Sequence, residues 1–441
     1  MKIKTNNRPQ GNVILAVLLT AFVVGLALST YLTMISAQNQ STLRSQSWNS
    51  SVPAMEAGVE EALTALQYGN LAANRWTLSA TDGFYHTTGS LQNGNSKNNS
   101  WYDVGIKLPP LGQPDLPIIE AVGYAPAPAN LVTAADSRLI NKPYGMILGG
   151  MLPIFRPDVA AIQRKVRVTA RRDAIFSKAM AANGLIDMNG RFVLTDSFDS
   201  TDLTASTLGK YDSTKSKANG DVATNGKLIN VNNAGIMGHA STGPGGTFEL
   251  GTWASVGDKA WVSKPTLGIE PGYSSDDMNI DFAPVTVPAP ALTGSTSYSG
   301  SQGGTKLLTG GVVGTNYFKL NGITLATGAT LQLYVGAASV TIGGNGIVNP
   351  GSALNFEYFG LPTNTSIALS GNAAFTGSIY APSAALTLGG GGSTTYDFVG
   401  STITATVTMN GHFKFHYDES LARLGPSRGY VVSSWNEISP N

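Results

Sequence analysis

The residues best suited to chemistry lie near the C-terminus, where histidines and a carboxylate recur at even spacing. His412, His416 and Asp418 could together hold a metal ion, since imidazole nitrogen and carboxylate oxygen are common metal ligands. In an extended strand, however, Lys414 would share the outward face with both histidines, and its charge would repel a cation. The pattern therefore predicts a solvated outer face and no metal. Three aromatic residues would then point inward: Phe413, Phe415 and Tyr417.

Other candidate motifs lack the full residue pattern that their chemistry needs. Two aspartate groups could offer oxygen ligands to calcium, but neither has the spacing and glycine of a calcium loop, so we interpret them as turn-stabilising residues. The glycine runs 243–246 and 389–392 lack the lysine and hydroxyl residue of a phosphate loop. No catalytic residue and no cofactor is therefore predicted. The two aspartate groups are Asp196, Asp199 and Asp202, and Asp276, Asp277 and Asp281.

Composition favours a turn-rich β protein. Only 12% of the 441 residues are charged and 52 are glycine, whereas about 25% of an ordinary soluble domain is charged. The formal net charge of +1 gives no bulk field to attract nucleic acid, so a nucleic-acid partner is not expected. The absence of cysteine excludes disulfides and thiolate chemistry.

The N-terminus carries the signature of a membrane-spanning helix. A basic leader, residues 1–11, precedes an uncharged segment, residues 12–35, whose helical length of about 36 Å would cross the hydrocarbon layer. Because positive charges lie before the apolar segment and none lies close behind it, we expect a cytoplasmic N-terminus. The rest of the chain should then lie outside the cytoplasm. A cleaved secretory signal is the alternative, but the apolar stretch is long for one. The apolar anchor residues are Val13, Leu15, Leu18, Leu19, Phe22, Val23, Leu26 and Leu28.

Residues 36–69 continue as a predicted amphipathic stalk helix. Apolar residues recur three and four positions apart from Val52 to Leu66, while Pro53 would kink or restart the helix and Gly69 would end it. One face of this segment should therefore pack on the following domain.

These N-terminal features resemble PilX-type minor pilins. The basic leader, the Gly11–Asn12 junction, the apolar helix and the extension Ala54–Leu63 carry the resemblance. It implies prepilin cleavage between Gly11 and Asn12, and packing of the helix with other pilin-like subunits in a type IV pilus or a type II secretion-like assembly. Asn12 stands where pilins usually have an aromatic residue or Met, and Ala16 stands where most have Glu.

The rest of the chain is predicted as a small mixed α/β or β region, residues 70–175, followed by a β-solenoid-like domain, residues 176–425. Asn-Gly dipeptides at Asn183, Asn189, Asn219 and Asn225 suggest two similar rungs, and Asn321, Asn345, Asn372 and Asn410 suggest further ones. A hairpin-built sandwich is the alternative. A Pro/Gly/Ser-rich exposed loop is expected near 283–305, and a C-terminal tail over 426–441.

A second resemblance covers 176–421. The segments 377–384 and 398–401 and the motif Phe415-His416-Tyr417-Asp418-Glu419 are similar to an uncharacterised domain that follows PilX-like N-termini in bacterial envelope proteins. The segments 196–200, 209–212 and 219–220 also fit that pattern. The resemblance implies a surface location and an architecture, and no known reaction.

The sequence thus predicts a mainly β protein with an N-terminal transmembrane and stalk helix, held as a single-pass protein in a bacterial inner membrane. We expect a structural or adhesive role, with the membrane, pilin-like subunits or surface polysaccharide as partners. The alternative is a solenoid-borne, polysaccharide-active enzyme, by analogy of fold alone.

Overall fold

The computed structural model describes residues 11–69, 71, 75–91, 100–110, 116–126, 131–132, 154–155, 161–190, 192–264, 267–289, 292–298, 300–309, 317–320, 323–325, 328–343, 347–370, 374–389, 396–411 and 413–439. The protein is mainly β, with 47% strand and 21% helix. It divides into two compact units, of which the first comprises Met1–Arg172 with Gly429–Asn441 and the second Asp173–Arg428.

The helices are α1 Gly11–Tyr68, α2 Lys259–Ser263 and α3 Ser420–Leu424, with short 3₁₀ turns at Ser213–Lys215 and Ala353–Asn355. The strands are β1 Thr77–Leu78, β2 Tyr85–Leu91, β3 Ser100–Lys107, β4 Ile118–Pro126, β5 Leu131–Val132, β6 Ile154–Phe155, β7 Ala161–Ala174, β8 Met180–Ala182, β9 Ile186–Asn189, β10 Leu194–Phe198, β11 Val222–Thr224, β12 Leu228–Asn232, β13 Gly235–Met237, β14 Ala240–Ser241, β15 Thr247–Leu250, β16 Ser255–Gly257, β17 Gly268–Ile269, β18 Ser274–Ser275, β19 Gly294–Ser295, β20 Gly300–Gln302, β21 Gly304–Leu308, β22 Tyr317–Leu320, β23 Ile323–Leu325, β24 Leu331–Val335, β25 Ser339–Gly343, β26 Ile347–Val348, β27 Phe356–Gly360, β28 Ser366–Ser370, β29 Phe375–Gly389, β30 Tyr396–Asn410, β31 Phe413–Asp418 and β32 Ser427–Ile438.

In the first unit, α1 packs on a sheet in the order β1-β2-β3-β4-β7-β32. The pairs from β1 to β7 are antiparallel. The helix is one element that continues through Pro53, so that residue does not end it. Residues 426–441, expected as a tail, contain the edge strand β32.

The second half of α1 meets the sheet closely because two glycines remove side chains from the contact. A Cβ on Gly58 would lie 3.0 Å from Cδ2 of Tyr102, and a Cβ on Gly123 would lie 2.2 Å from the carbonyl oxygen of Ser51. The predicted apolar stripe is buried in this contact, with Met55 and Val59 at 2% and 3% exposed. Burial of the stripe fixes which face of the helix meets the sheet.

In the second unit, every strand pairing between β8 and β31 is parallel. The hairpin-built alternative is therefore wrong for the described strands. The Asn183 corner stacks on the Asn225 corner, 42 positions later, through a side-chain hydrogen bond of 3.1 Å. Asn183 is thus aligned with Asn225 rather than with Asn219. Later strands repeat after 25 to 27 residues, while Asn321, Asn345 and Asn372 lie outside the described residues.

The chain enters the second unit in the middle of its strand stack. Strand β10 pairs with β13 on one side and with the late strand β31 on the other, and β8 and β9 likewise lie between β30 and the early strands β11 and β12. The first and last thirds of this unit thus share one continuous stack.

An extended segment, residues 276–289, lies between the two halves of the second unit, strands β8–β18 and strands β19–β31. Three of its side chains, Met278, Phe282 and Val285, are only 6–8% exposed, and the Tyr380 hydroxyl donates a hydrogen bond of 2.8 Å to the carbonyl of Ala283. Met278 and Phe282 lie before the Pro/Gly/Ser-rich loop expected near 283–305, and among the described residues of that range only Val285 is buried while most are exposed. Strands β19, β20 and β21 begin within the same range.

Aromatic residues form the centre of the core of the second unit. Phe356, Phe375, Phe398 and Phe415 are each at most 1% exposed and follow one another across adjacent strands. The ring centroids of Phe375 and Phe398 lie 4.5 Å apart, and those of Phe398 and Phe415 lie 4.3 Å apart. Parallel in-register pairing places identical residues one above the other, which makes this ladder possible.

Candidate functional site

The densest group of reactive side chains lies where β31 meets β10. His416 pairs in register with Asp196, and its Nδ1 lies 2.5 Å from Oδ1 of that residue. Tyr211 donates a hydrogen bond of 2.6 Å from its hydroxyl to Oδ2 of Asp196, and its ring stacks on the imidazole at 3.5 Å. Because both carboxylate oxygens accept hydrogen bonds, Asp196 holds the two rings in fixed positions.

The prediction of a solvated face is wrong for His416 and Asp418, which are 1% and 0% exposed. Strand alternation does place them opposite Phe413, Phe415 and Tyr417, whose burial is confirmed. The outward face is covered by residues 199–220, which we call the covering loop. His412 lies outside the described residues.

The covering loop is built from three short turns of one kind. In each, an aspartate side chain accepts hydrogen bonds from the backbone N–H and the hydroxyl of the threonine two positions later: Asp199 with Thr201, Asp202 with Thr204, and Asp212 with Thr214. The hydroxyls of Thr207 and Thr214, with the Thr214 N–H, lower the pKa of Asp212 to about 2. Hydrogen bonds from Thr204 also lower the pKa of Asp202. The turn role expected for Asp199 and Asp202 is thus confirmed. Asp196 instead forms hydrogen bonds with His416 and Tyr211.

Glu419 joins the end of β31 to the early part of the unit. Its Oε1 accepts hydrogen bonds of 2.8 Å from the Ser197 hydroxyl and the Asn219 amide, and its Oε2 lies 2.5 Å from Nζ of Lys217. The Glu419 N–H donates to the carbonyl of Phe198 at 2.8 Å. The tail motif therefore acts as a clamp between segments about 200 positions apart.

Two further aspartates complete this clamp. Burial raises the pKa of Asp418, whose Oδ1 accepts hydrogen bonds of 3.1 Å from the N–H groups of Ser200 and Ser420. Burial also acts to raise the pKa of Asp199, but hydrogen bonds from Thr201 and Arg423 outweigh it, so that pKa is lowered. The Arg423 guanidinium lies 2.7 Å from Oδ2 of Asp199. The contacts from Ser200 to Asp418 and from Arg423 to Asp199 tie the C-terminal residues to the covering loop.

The cluster of His416, Asp196 and Tyr211 is closed off from solvent by the covering loop. A substrate could not reach His416 or Asp196, at 1% and 2% exposed, without displacing the covering loop. Among the residues that the structure describes, no three His, Cys, Asp or Glu side chains come together as metal ligands. The other aspartate group, Asp276, Asp277 and Asp281, is exposed on the joining segment.

An open groove of about 250 Å³ lies beside the clamp. Gly209, Lys210 and Tyr211 of the covering loop line one side, and Asn349 and Ser352 line another, with Thr376 and Val399 of β29 and β30 also in the lining. Lys210 is the one charged residue among its described lining residues. The groove thus combines one cation with amide, hydroxyl and aromatic groups.

The second candidate site is the anchor. A single described helix is apolar enough to span a membrane, with mean hydropathy 2.5 and an apolar window that is 0% buried. The helix includes Gly11 and Asn12. The predicted anchor residues all project from it at 53–69% exposed: Val13, Leu15, Leu18, Leu19, Phe22, Val23, Leu26 and Leu28.

Together these features define a mainly β protein with one N-terminal helix suited to single-pass anchoring. Residues 300–424 match the family model of a domain of unknown function, DUF7305. No curated protein and no solved structure matches the chain. The matched segment ends with α3 and contains His416 and Glu419, whereas their partners Asp196 and Lys217 lie before it.

Proposed function

We propose that this chain is a membrane-anchored structural or adhesive protein of the bacterial envelope, with a cytoplasmic N-terminus and the residues from Ser36 onward outside the inner membrane. The proposal rests on the pattern of exposure along α1. Its first half exposes apolar residues on every side, while its second half is buried on a sheet of the first unit. Exposed apolar surface of this extent requires lipid or other helices around it.

The same helix supports a pilin-like assembly. A long helix whose free half is apolar and whose other half is fixed to an antiparallel sheet can pack with the helices of neighbouring subunits. Removal of the leader between Gly11 and Asn12 would place the new terminus at the start of this free half. Ala16, in place of a glutamate, leaves the segment uncharged, which suits burial in the membrane without a charged partner.

We propose further that the second unit is a β-solenoid, and three observations support this. Its described strands pair in parallel, corners such as Asn183 and Asn225 stack, and the phenylalanine ladder crosses successive strands. Stacked strands offer long lateral faces on which partners or polysaccharide can bind. The groove beside the clamp does not favour the enzyme alternative, since no carboxylate lies among its described lining residues.

Topology tests the proposal directly. Protease added to spheroplasts should digest the chain from Ser36 onward and spare the leader, whereas a protected C-terminal unit would contradict the proposed orientation. Sequencing the mature N-terminus of protein purified from its host then separates the two forms of anchor. Asn12 as the first residue would establish prepilin processing, and Met1 would indicate a plain signal anchor.

A matched pair of variants tests the role of α1. Leu19→Arg places a charge in the middle of the apolar segment, which costs about 2.5–3.5 kcal/mol in the bilayer, and should release the protein from the membrane fraction. Leu43→Arg, on the same helix beyond that segment, should leave fractionation unchanged. Equal release of both variants would contradict anchoring by residues 12–35.

A further inference from the structure

Several side chains that line the groove beside the clamp are held in place by hydrogen bonds and ring stacking. Asn349 donates hydrogen bonds of 2.8 and 3.1 Å to the carbonyls of Ser352 and Thr376 and accepts one of 2.9 Å from the Gly351 N–H. On the covering loop, Tyr211 is held in place by its hydrogen bond to Asp196 and by its stack on His416. A ligand that enters this space would therefore pay little for ordering these groups.

The rim of the groove holds a backbone conformation that is unusual for its residue type. Thr207 and Lys210 exchange two backbone hydrogen bonds of 3.0 Å, and the two residues between them, Leu208 and Gly209, have φ of 54° and 75°. A leucine rarely adopts positive φ, and strain of this kind persists where the surrounding structure enforces it. The turn holds Lys210 at the edge of the groove.

The chemistry of the lining favours a sugar that carries a carboxylate. Aromatic rings pack against the C–H faces of sugar rings, and amide and hydroxyl groups match sugar hydroxyls. Lys210 adds a positive charge with no carboxylate among the described lining residues, so an anionic group is favoured over a cationic one. At about 250 Å³, the groove lies just below the usual range of small-molecule pockets and suits one or two sugar rings.

We propose that this groove is a binding site for uronic acid residues of a surface polysaccharide. The inference rests on the proposed envelope role and names the ligand class for it. Lys210 would contact the uronate carboxylate, Tyr211 would pack against a ring, and Ser352 and Thr376 would exchange hydrogen bonds with hydroxyls. The covering loop would then contact the sugar ligand in addition to covering His416 and Asp418.

The test measures binding of tri-galacturonate to the detergent-purified full chain by calorimetry. The methyl ester of the same trisaccharide is the matched probe, since it keeps the rings and removes the charge. Lys210→Gln should weaken binding of the free acid about fivefold, as expected for an exposed charge pair, and should leave binding of the ester unchanged. Lys227→Gln, an exposed lysine of the same unit outside the groove, is the control and should have no effect.

A second variant blocks the groove without touching the charge. Ala374 is an exposed lining residue, and Ala374→Trp should abolish binding of both probes while the circular dichroism spectrum stays unchanged. The inference is overturned if the free acid does not bind, if it binds Lys210→Gln as tightly as the wild type, or if Ala374→Trp still binds. Those results would leave the protease topology test unaffected, so failure here is distinct from failure of the proposed function.

Discussion

Replacement of Phe415 by alanine tests whether the phenylalanine ladder holds the two halves of the second unit together. The ring is 0% exposed, stacks on Phe398 with a centroid distance of 4.3 Å and an interplanar angle of 12°, and pairs in register with Thr195 of β10. Truncation of a buried phenylalanine costs about 3–5 kcal/mol. The upper half of that range is expected, because neighbours on two adjacent strands cannot move in to fill the space.

Urea denaturation of the full chain, followed by hydrogen exchange of peptides from β30 and β31, measures this loss. With a slope of about 1–3 kcal/mol per molar urea, the midpoint for these peptides should fall by at least about 1 M. Phe415→Leu keeps an apolar side chain and should cost less than Phe415→Ala. Leu203→Ala, at a position that is 68% exposed, should change stability by no more than about 0.5 kcal/mol. A loss below about 1 kcal/mol for Phe415→Ala would refute the assignment of this ring to the core.

Three further predictions concern the covering loop and the clamp. Leu208→Gly should raise the melting temperature, because glycine relieves a left-handed conformation that costs leucine about 1–2 kcal/mol, in excess of the added freedom of the unfolded chain; an unchanged or lower value would argue against strain at this turn. The folded pKa of Asp212, about 2, lies below its ordinary value, so its stabilising effect is present above about pH 4 and is lost as the pH falls toward 2. Melting curves of Asp212→Ala and the wild type should therefore differ at pH 7 and converge near pH 2, and a constant gap would contradict this linkage. His416→Ala should lower stability by about 3 kcal/mol, because it removes the hydrogen bond to the buried Asp196 carboxyl and the ring stack with Tyr211. A chelator should leave the wild-type melting temperature unchanged; a loss with chelator that zinc or calcium restores would show a bound metal.

The sequence patterns predicted the parts of the fold that depend on local periodicity. The uncharged run 12–35, the apolar stripe around Met55 and the alternation of Phe413, Phe415 and Tyr417 each reflect a single element, and the structure has the corresponding helix and strand. Alternation also placed His416 on the outward face correctly. It could not show that a second layer covers that face, because Tyr211 lies more than 200 positions earlier in the chain.

The pairing of early strands with late strands could likewise not be predicted from local sequence patterns. Nothing in the residues near Asp196 specifies His416 as its partner, since the pairing depends on how the whole stack is ordered. The one available signal was that segments 196–200, 209–212 and 219–220 fit the same family resemblance as the tail motif. The structure brings these segments together around Glu419 and His416.

The position of Asp173 and Arg428 has a consequence for biogenesis. The Arg428 guanidinium lies 3.7 Å from the Asp173 carboxylate, although the two residues stand at opposite ends of the second unit. The strand that completes the sheet of the first unit, β32, begins at Ser427. That sheet therefore lacks its last strand until nearly all of the chain has been synthesised. Adjacent ends also mean that evolution could exchange the entire inserted unit while the anchoring unit kept its own connections.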